Sequence, residues 1–242
     1  MEKANGYHSD ESADQKRDRC ERIIDGLIQH YGMQVCTLDY REDAWKLLVG
    51  GILATQCTDE RVNRITPELF QDFPGIEEIA ASSPPQIEPY IKSCGLFRNK
   101  AKNIHGSAVK ILADFAGDVP QTREDLMTLP GVGRKIANLL LGDVFGQQAI
   151  VVDTHCGRIS RLLGLSEYKD PLRVERDLMD CVPHRHWTDW GHLMVAHGRE
   201  ICVARRPQCG RCPVRKECAT GILFTEPLDD SDNAPAALPV GE

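Results

Sequence analysis

The stretch Leu129-Pro130-Gly131-Val132-Gly133-Arg134-Lys135, followed by Val152-Asp153-Thr154-His155, decides how this chain is read. Pro130 ends the short helix before it, because proline cannot continue a helix and biases its predecessor away from helical angles. Gly131 and Gly133 permit positive φ and a close approach by another backbone. The run Ile136-Ala137-Asn138-Leu139-Leu140-Leu141 then reads as a buried helix. The pattern is helix, tight hairpin, helix, and the amides that open the second helix suit a phosphate. Lys135 falls in the first turn of that helix, at the positive end of its dipole, which favours the uncharged amine that a nucleophile needs. Asp153 follows 18 positions later, after the apolar run 149–152, at or near the N-cap of another helix. Capping alone accounts for an aspartate there. A lysine and an aspartate together, behind a Gly-x-Gly hairpin, point to catalysis.

Working outward, the chain has 242 residues, enough for one large or two small domains. Leucine, isoleucine and alanine are plentiful and strand-like alternation is nearly absent, so the expected class is all-α. Amphipathic or apolar helices are expected at 16–31, at 42–56, through Val62, Ile65 and Leu69, after Ser83-Pro84-Pro85, at 97–115, from Thr122, and near 171–182 and 187–201. No apolar run is long enough to span a membrane, and the polar, acidic N-terminus is unlike a signal peptide. A membrane partner is therefore not expected.

The net charge of −7 is unevenly spread. Residues 1–15 carry −3 and residues 221–242 carry −5, which leaves +1 for the body between them. Both ends are expected to be acidic disordered tails around a near-neutral body.

Ten cysteines without a secretory signal imply a reducing compartment, where metal ligation or burial is commoner than disulfides. Cys202, Cys209, Cys212 and Cys218 form C-x6-C-x2-C-x5-C within 17 residues, and this spacing leaves zinc and an iron–sulfur cluster both open. Arg205, Arg206, Arg211, Arg215 and Lys216 lie between these cysteines against Glu217 alone, a cationic loop suited to phosphate. Cys20, Cys36, Cys57, Cys94, Cys156 and Cys181 are expected to pack as small hydrophobes.

Leu129 to Leu141 resembles the helix-hairpin-helix of the endonuclease III family of DNA glycosylases, and Val152-Asp153-Thr154-His155 resembles that family's aspartate motif at the family's spacing from the lysine. The likeness runs from about residue 17 to 220. It implies two helical domains flanking a DNA-binding cleft: a six-helix domain at 38–147 that contains the hairpin, and an iron–sulfur cluster domain formed by 16–37 with 148–220. It implies Lys135 and Asp153 as catalytic residues and a [4Fe–4S] cluster on Cys202, Cys209, Cys212 and Cys218. Gln56 resembles the residue that probes an opened base pair, for which an amide offers donors and an acceptor. Leu96, in Gly95-Leu96-Phe97, resembles a second, apolar wedge. Gly131, Gly133, Arg134 and His155 would contact or orient DNA at the site, and Arg205 and Arg206 its phosphates.

The activity so implied is a bifunctional glycosylase and abasic-site lyase that removes oxidised pyrimidines and nicks the strand by β-elimination. The partner is double-stranded DNA with a damaged base or abasic site. The setting is a monomer in a bacterial or archaeal cytoplasm, associated with the nucleoid. The alternatives are a monofunctional adenine- or thymine-mismatch glycosylase, which usually lacks this lysine, and a non-catalytic iron–sulfur DNA-binding protein. Cys57 beside Gln56 and Cys156 beside His155 depart from the family pattern.

Overall fold

The structure is a computed structural model and describes residues 10–223. The described residues form eleven α-helices and no strand. The all-α expectation holds. The chain divides into two compact units, one of residues 35–151 and one of residues up to Gln34 together with those from Val152 onward.

The continuous unit contains α2 (Ala44–Ala54), α3 (Asp59–Asp72), α4 (Ile76–Ala81), α5 (Pro84–Ile91), α6 (Phe97–Asp114) and α8 (Arg134–Asp143), with the single-turn α7 (Arg123–Leu126) before α8. The central helix is α2. Asp43 caps it by accepting from Lys46 N at 2.9 Å. Trp45, Leu47, Leu48, Val49, Ile52 and Leu53 are buried on all its sides, as its sequence predicts. Gly51 lets α8 come close: a Cβ there would stand 3.0 Å from the Ile136 side chain. On α6, Ala101, Ile104, Ala108 and Ile111 form the buried stripe. Each fully buried Leu or Ile in this core is worth about 1.5–3 kcal/mol.

The discontinuous unit contains α1 (Ala13–Tyr31), α9 (Thr154–Leu162), α10 (Pro171–Cys181) and α11 (Trp187–Glu200), followed by short turns through Leu223. Residues 12–15 depart from the expected disordered tail at 1–15. Ser12 and Gln15 form a reciprocal capping box, so α1 starts at Ala13. Glu11 then pairs with Arg19 at 2.8 Å, and the buried Arg19 guanidinium also reaches the carbonyls of Leu163 and Glu217. The rest of that tail, 1–9, and the other from 224 on lie outside the described residues. Among the described residues no helix is long and apolar enough to cross a membrane.

Candidate active site

In the continuous unit the hairpin rests on α6. Ser107 Oγ donates to Pro130 O at 2.9 Å, and a Cβ on Gly106 would lie 3.2 Å from the Pro130 ring. Gly131 has φ +79°, and a Cβ there would stand 2.7–2.9 Å from the Asn103 side chain. Glycine is thus required at 131 both by conformation and by space. Gly133 departs from expectation. Its backbone is extended, with φ −97°, and a Cβ would meet nothing within 4 Å. It serves as the N-cap of α8 and, as glycine, makes no side-chain cap hydrogen bond there.

Arg134 and Lys135 open α8, Lys135 exposed and the next residue, Ile136, buried. The helix is held by a residue that its apolar pattern hid. Asn138 is 1% exposed, its amide donates to Ile150 O at 2.8 Å, and its carbonyl accepts from Arg123 Nε at 2.8 Å. One polar residue inside an apolar helical run was the available signal.

Gln56 and Leu96 are both exposed and both on left-handed backbone, with φ +56° and +49°. Leu96 is 58% exposed, so it is not a core residue. Non-glycine residues in this region carry strain, and such strain concentrates at functional positions.

In the discontinuous unit Asp153 caps α9, its Oδ1 accepting from Cys156 N at 2.8 Å. His155 is partly buried in the first turn of α9, and Gly198 of α11 faces its ring. Burial pushes the Cys156 thiol up to about 12, and the Asp153 carboxylate adds to it. Cys156 is therefore a packed thiol, as are Cys20, Cys36, Cys94 and Cys181, whereas Cys57 is only half-buried.

Four cysteines close this unit. Arg158, on α9, donates to Cys202 O at 2.6 Å and to its sulfur at 3.5 Å. The Cys218 sulfur receives Gly221 N at 3.2 Å and lies 3.2 Å from Leu162 O. His197 Nε2 is 3.6 Å from the Cys212 sulfur, and its Nδ1 is 3.0 Å from the Tyr31 hydroxyl. Burial, then the charges of His30 and Arg158, push the His197 pKa down to about 4. The ring is therefore neutral, Tyr31 donates to Nδ1, and Nε2–H is left to donate to Cys212. Burial pushes the Cys212 thiol up to about 12, reinforced by charge on Cys218, Cys202 and Cys209, so the four sulfurs share one neighbourhood. Among the described residues no three Cys, His, Asp or Glu side chains are gathered tightly enough to hold a single metal ion.

Arg205 and Arg206 are exposed on the same loop. The loop's cations are less free than composition implied, because Arg211 pairs with Glu200 at 2.8 Å. Sequence reading also missed Arg158, His197 and Tyr31, whose partners lie far along the chain. Of the expected site residues, Gln56, Leu96, Gly131, Gly133, Arg134 and Lys135 belong to one unit. Asp153, His155, Arg205, Arg206 and the four cysteines belong to the other.

A helix-hairpin-helix, an exposed lysine at its second helix and an aspartate cap 18 residues on define a class of DNA repair protein. Residues 49–184 match the model of the HhH-GPD superfamily base excision DNA repair protein, and the chain belongs to that superfamily. It is 47% identical over 204 residues to the endonuclease III of Synechocystis sp., covering 84% of this chain and 93% of that one. It is 43% identical over 202 residues to the endonuclease III of Bacillus subtilis, covering 83% and 92%. Its fold matches the solved structure of a trapped endonuclease III–DNA covalent intermediate with TM-score 0.80 and 36% identity, over 86% of this chain and 97% of that one. A thermostable thymine-DNA glycosylase shares the fold at TM-score 0.75 and 22% identity, over 86% and 98%.

Proposed function

We propose that this chain is a bifunctional DNA glycosylase and abasic-site lyase of the endonuclease III kind, which removes oxidised pyrimidines from double-stranded DNA. The observation that carries this reading is Lys135, exposed in the first turn of α8 directly behind the hairpin. A lysine there supplies an amine nucleophile, which a mismatch glycosylase of the monofunctional kind does without.

The Lys135 amine attacks C1′ of the damaged nucleotide. The C1′–N bond breaks, and the base leaves with its electron pair and a proton. The Asp153 carboxylate assists deprotonation of the amine and stabilises positive charge developing on the sugar. Opening of the sugar ring leaves a Schiff base between Lys135 and C1′. Loss of a C2′ proton then expels the 3′ phosphate oxygen and nicks the strand. Gln56 fills the space left by the extruded base, and Leu96 wedges between base steps. Gly131, Gly133 and Arg134 hold phosphates at the hairpin, His155 orients the site, and Arg205 and Arg206 hold phosphates beyond it. The enzyme acts as a monomer on nucleoid DNA in the cytoplasm.

Cys202, Cys209, Cys212 and Cys218 would hold a [4Fe–4S] cluster with a structural role. Their donor set fits. Four neighbouring cysteines can supply thiolate ligands, and three N–H groups are placed to stabilise them.

A panel of lesion-bearing duplexes, scored separately for base release and strand nicking, tests the activity. Both are expected on oxidised pyrimidines. Base release without nicking would make the protein monofunctional.

A further inference from the structure

Gln56 and Leu96 stand on different segments, yet one side chain joins the backbones that carry them. Lys100, on α6, is only 4% exposed. Its ammonium donates to Leu53 O at 2.9 Å and to Cys94 O at 2.6 Å. Leu53 lies in the last turn of α2, three residues before Gln56, and its carbonyl is one that a helix end leaves without an intrahelical donor. Cys94 lies two residues before Leu96. The two segments meet a second time where the Cys57 thiol neighbours that of Cys94 and, after burial, pushes its pKa up. Burying an ammonium costs several kcal/mol unless its donors are satisfied, and an aliphatic side chain would fill the same space without that cost. Burial accordingly lowers the Lys100 pKa.

We propose that Lys100 is a positioning residue for base-pair opening: its ammonium clips the end of α2 to the loop before α6, so that Gln56 and Leu96 enter the duplex as one preorganised pair. The inference rests on the reading that these two residues probe the duplex. Left-handed backbone at Gln56 and Leu96 persists only where the surroundings over-determine it. The clip supplies that constraint, and rigid support is what holds a recognition geometry to the tolerance it needs. Lys100 touches no reacting atom. Its loss should therefore spare the Lys135 chemistry wherever no duplex has to be opened.

The test compares Lys100→Met with the wild-type full chain in three measurements. The first is single-turnover base release from a duplex with one oxidised pyrimidine. The second is nicking of a single-stranded abasic oligonucleotide. The third is amide hydrogen exchange of the free protein. The expected result is a loss of about tenfold or more in the first, no change in the second, and faster exchange confined to residues 54–57 and 94–97. Lys100→Arg, which keeps a cation with several donors, should restore duplex base release. Parallel losses on both substrates, with faster exchange throughout the unit, would reduce Lys100 to a folding role and overturn the proposal. So would a Met variant equal to wild type. If Lys100→Met does not fold, Lys100→Gln, with two donors on a shorter arm, should show the same split in weaker form, and its absence overturns the clip. If wild type neither releases bases nor nicks, the reading of the activity fails, and the exchange pattern still decides whether the clip exists.

Discussion

A Cβ on Gly198 would stand 2.2 Å from Nδ1 of His155. The contact places the last turns of α11 directly against the first turn of α9, two residues after the Asp153 cap. Glycine at 198 is therefore a condition for the position of His155, not a flexible point in a helix. Gly198→Ala should cost about 1–3 kcal/mol by overpacking, which lowers the melting midpoint by about 2–4 °C per kcal/mol. It should also slow base release more than duplex binding, because the start of α9 is displaced. Thermal unfolding and single-turnover assays on one preparation check this. A wild-type melting curve would show that the His155 ring simply moves aside.

The two hairpin glycines are not equivalent. Gly131 has φ +79° and the Asn103 side chain against it, whereas Gly133 is extended with open space where a Cβ would go. Gly131→Ala should destabilise by more than about 2 kcal/mol, combining overpacking with a left-handed alanine. Gly133→Ala should cost less than about 1 kcal/mol in folding, with its main effect on DNA affinity. Denaturant unfolding of both variants distinguishes them, and equal costs would contradict the assignment.

How much of this was legible beforehand follows from the reach of each interaction. Local signals worked: Asp153 caps a helix where the sequence placed it, and α6 and α10 run within a residue of their expected ends. The short α4 carries little periodicity and was not read. Gly131 could be read from its neighbours, but the extended backbone at Gly133 could not, because glycine permits either conformation. Long-range partners were silent. Nothing in its local sequence marks Lys100, near the start of α6, as buried, and only folding brings Leu53 O, 47 residues away, to its ammonium. His197 and Arg158 likewise look like ordinary helix residues until the cysteine loop folds back onto them.

The cysteine quartet predicts its own content. Protein purified without air should be brown and contain iron and sulfide at about four each per chain. Removing the cluster with a chelator and oxidant, or replacing Cys212 with Ala, should unfold the region after α11 while the continuous unit stays folded. Metal analysis and limited proteolysis measure both. Zinc without sulfide would overturn the assignment.

The exposed pair Arg205 and Arg206 should act on phosphates alone. Replacing both with Ala should weaken binding to every duplex alike and reduce the slope of log affinity against log salt by about 2, one unit for each lost phosphate contact. Salt titrations with undamaged and lesion-bearing duplexes give the answer. Loss confined to one lesion would instead make the pair a base reader.

Asp153→Asn keeps a cap for α9 but removes the charge. It should slow base release more than nicking of a preformed abasic site, because the abasic aldehyde needs less activation. Comparing the two rates on matched duplexes tests this. Equal losses would confine Asp153 to its capping role.

The central claim is that Lys135 forms the covalent bond to the sugar, and borohydride trapping measures it directly. Wild-type protein incubated with an abasic or oxidised-pyrimidine duplex and borohydride should form a stable protein–DNA adduct. Lys135→Gln, which keeps length and hydrogen bonding but removes the amine, should form none while still binding the duplex. An adduct of undiminished yield in Lys135→Gln would contradict the account, because another amine would then carry the chemistry.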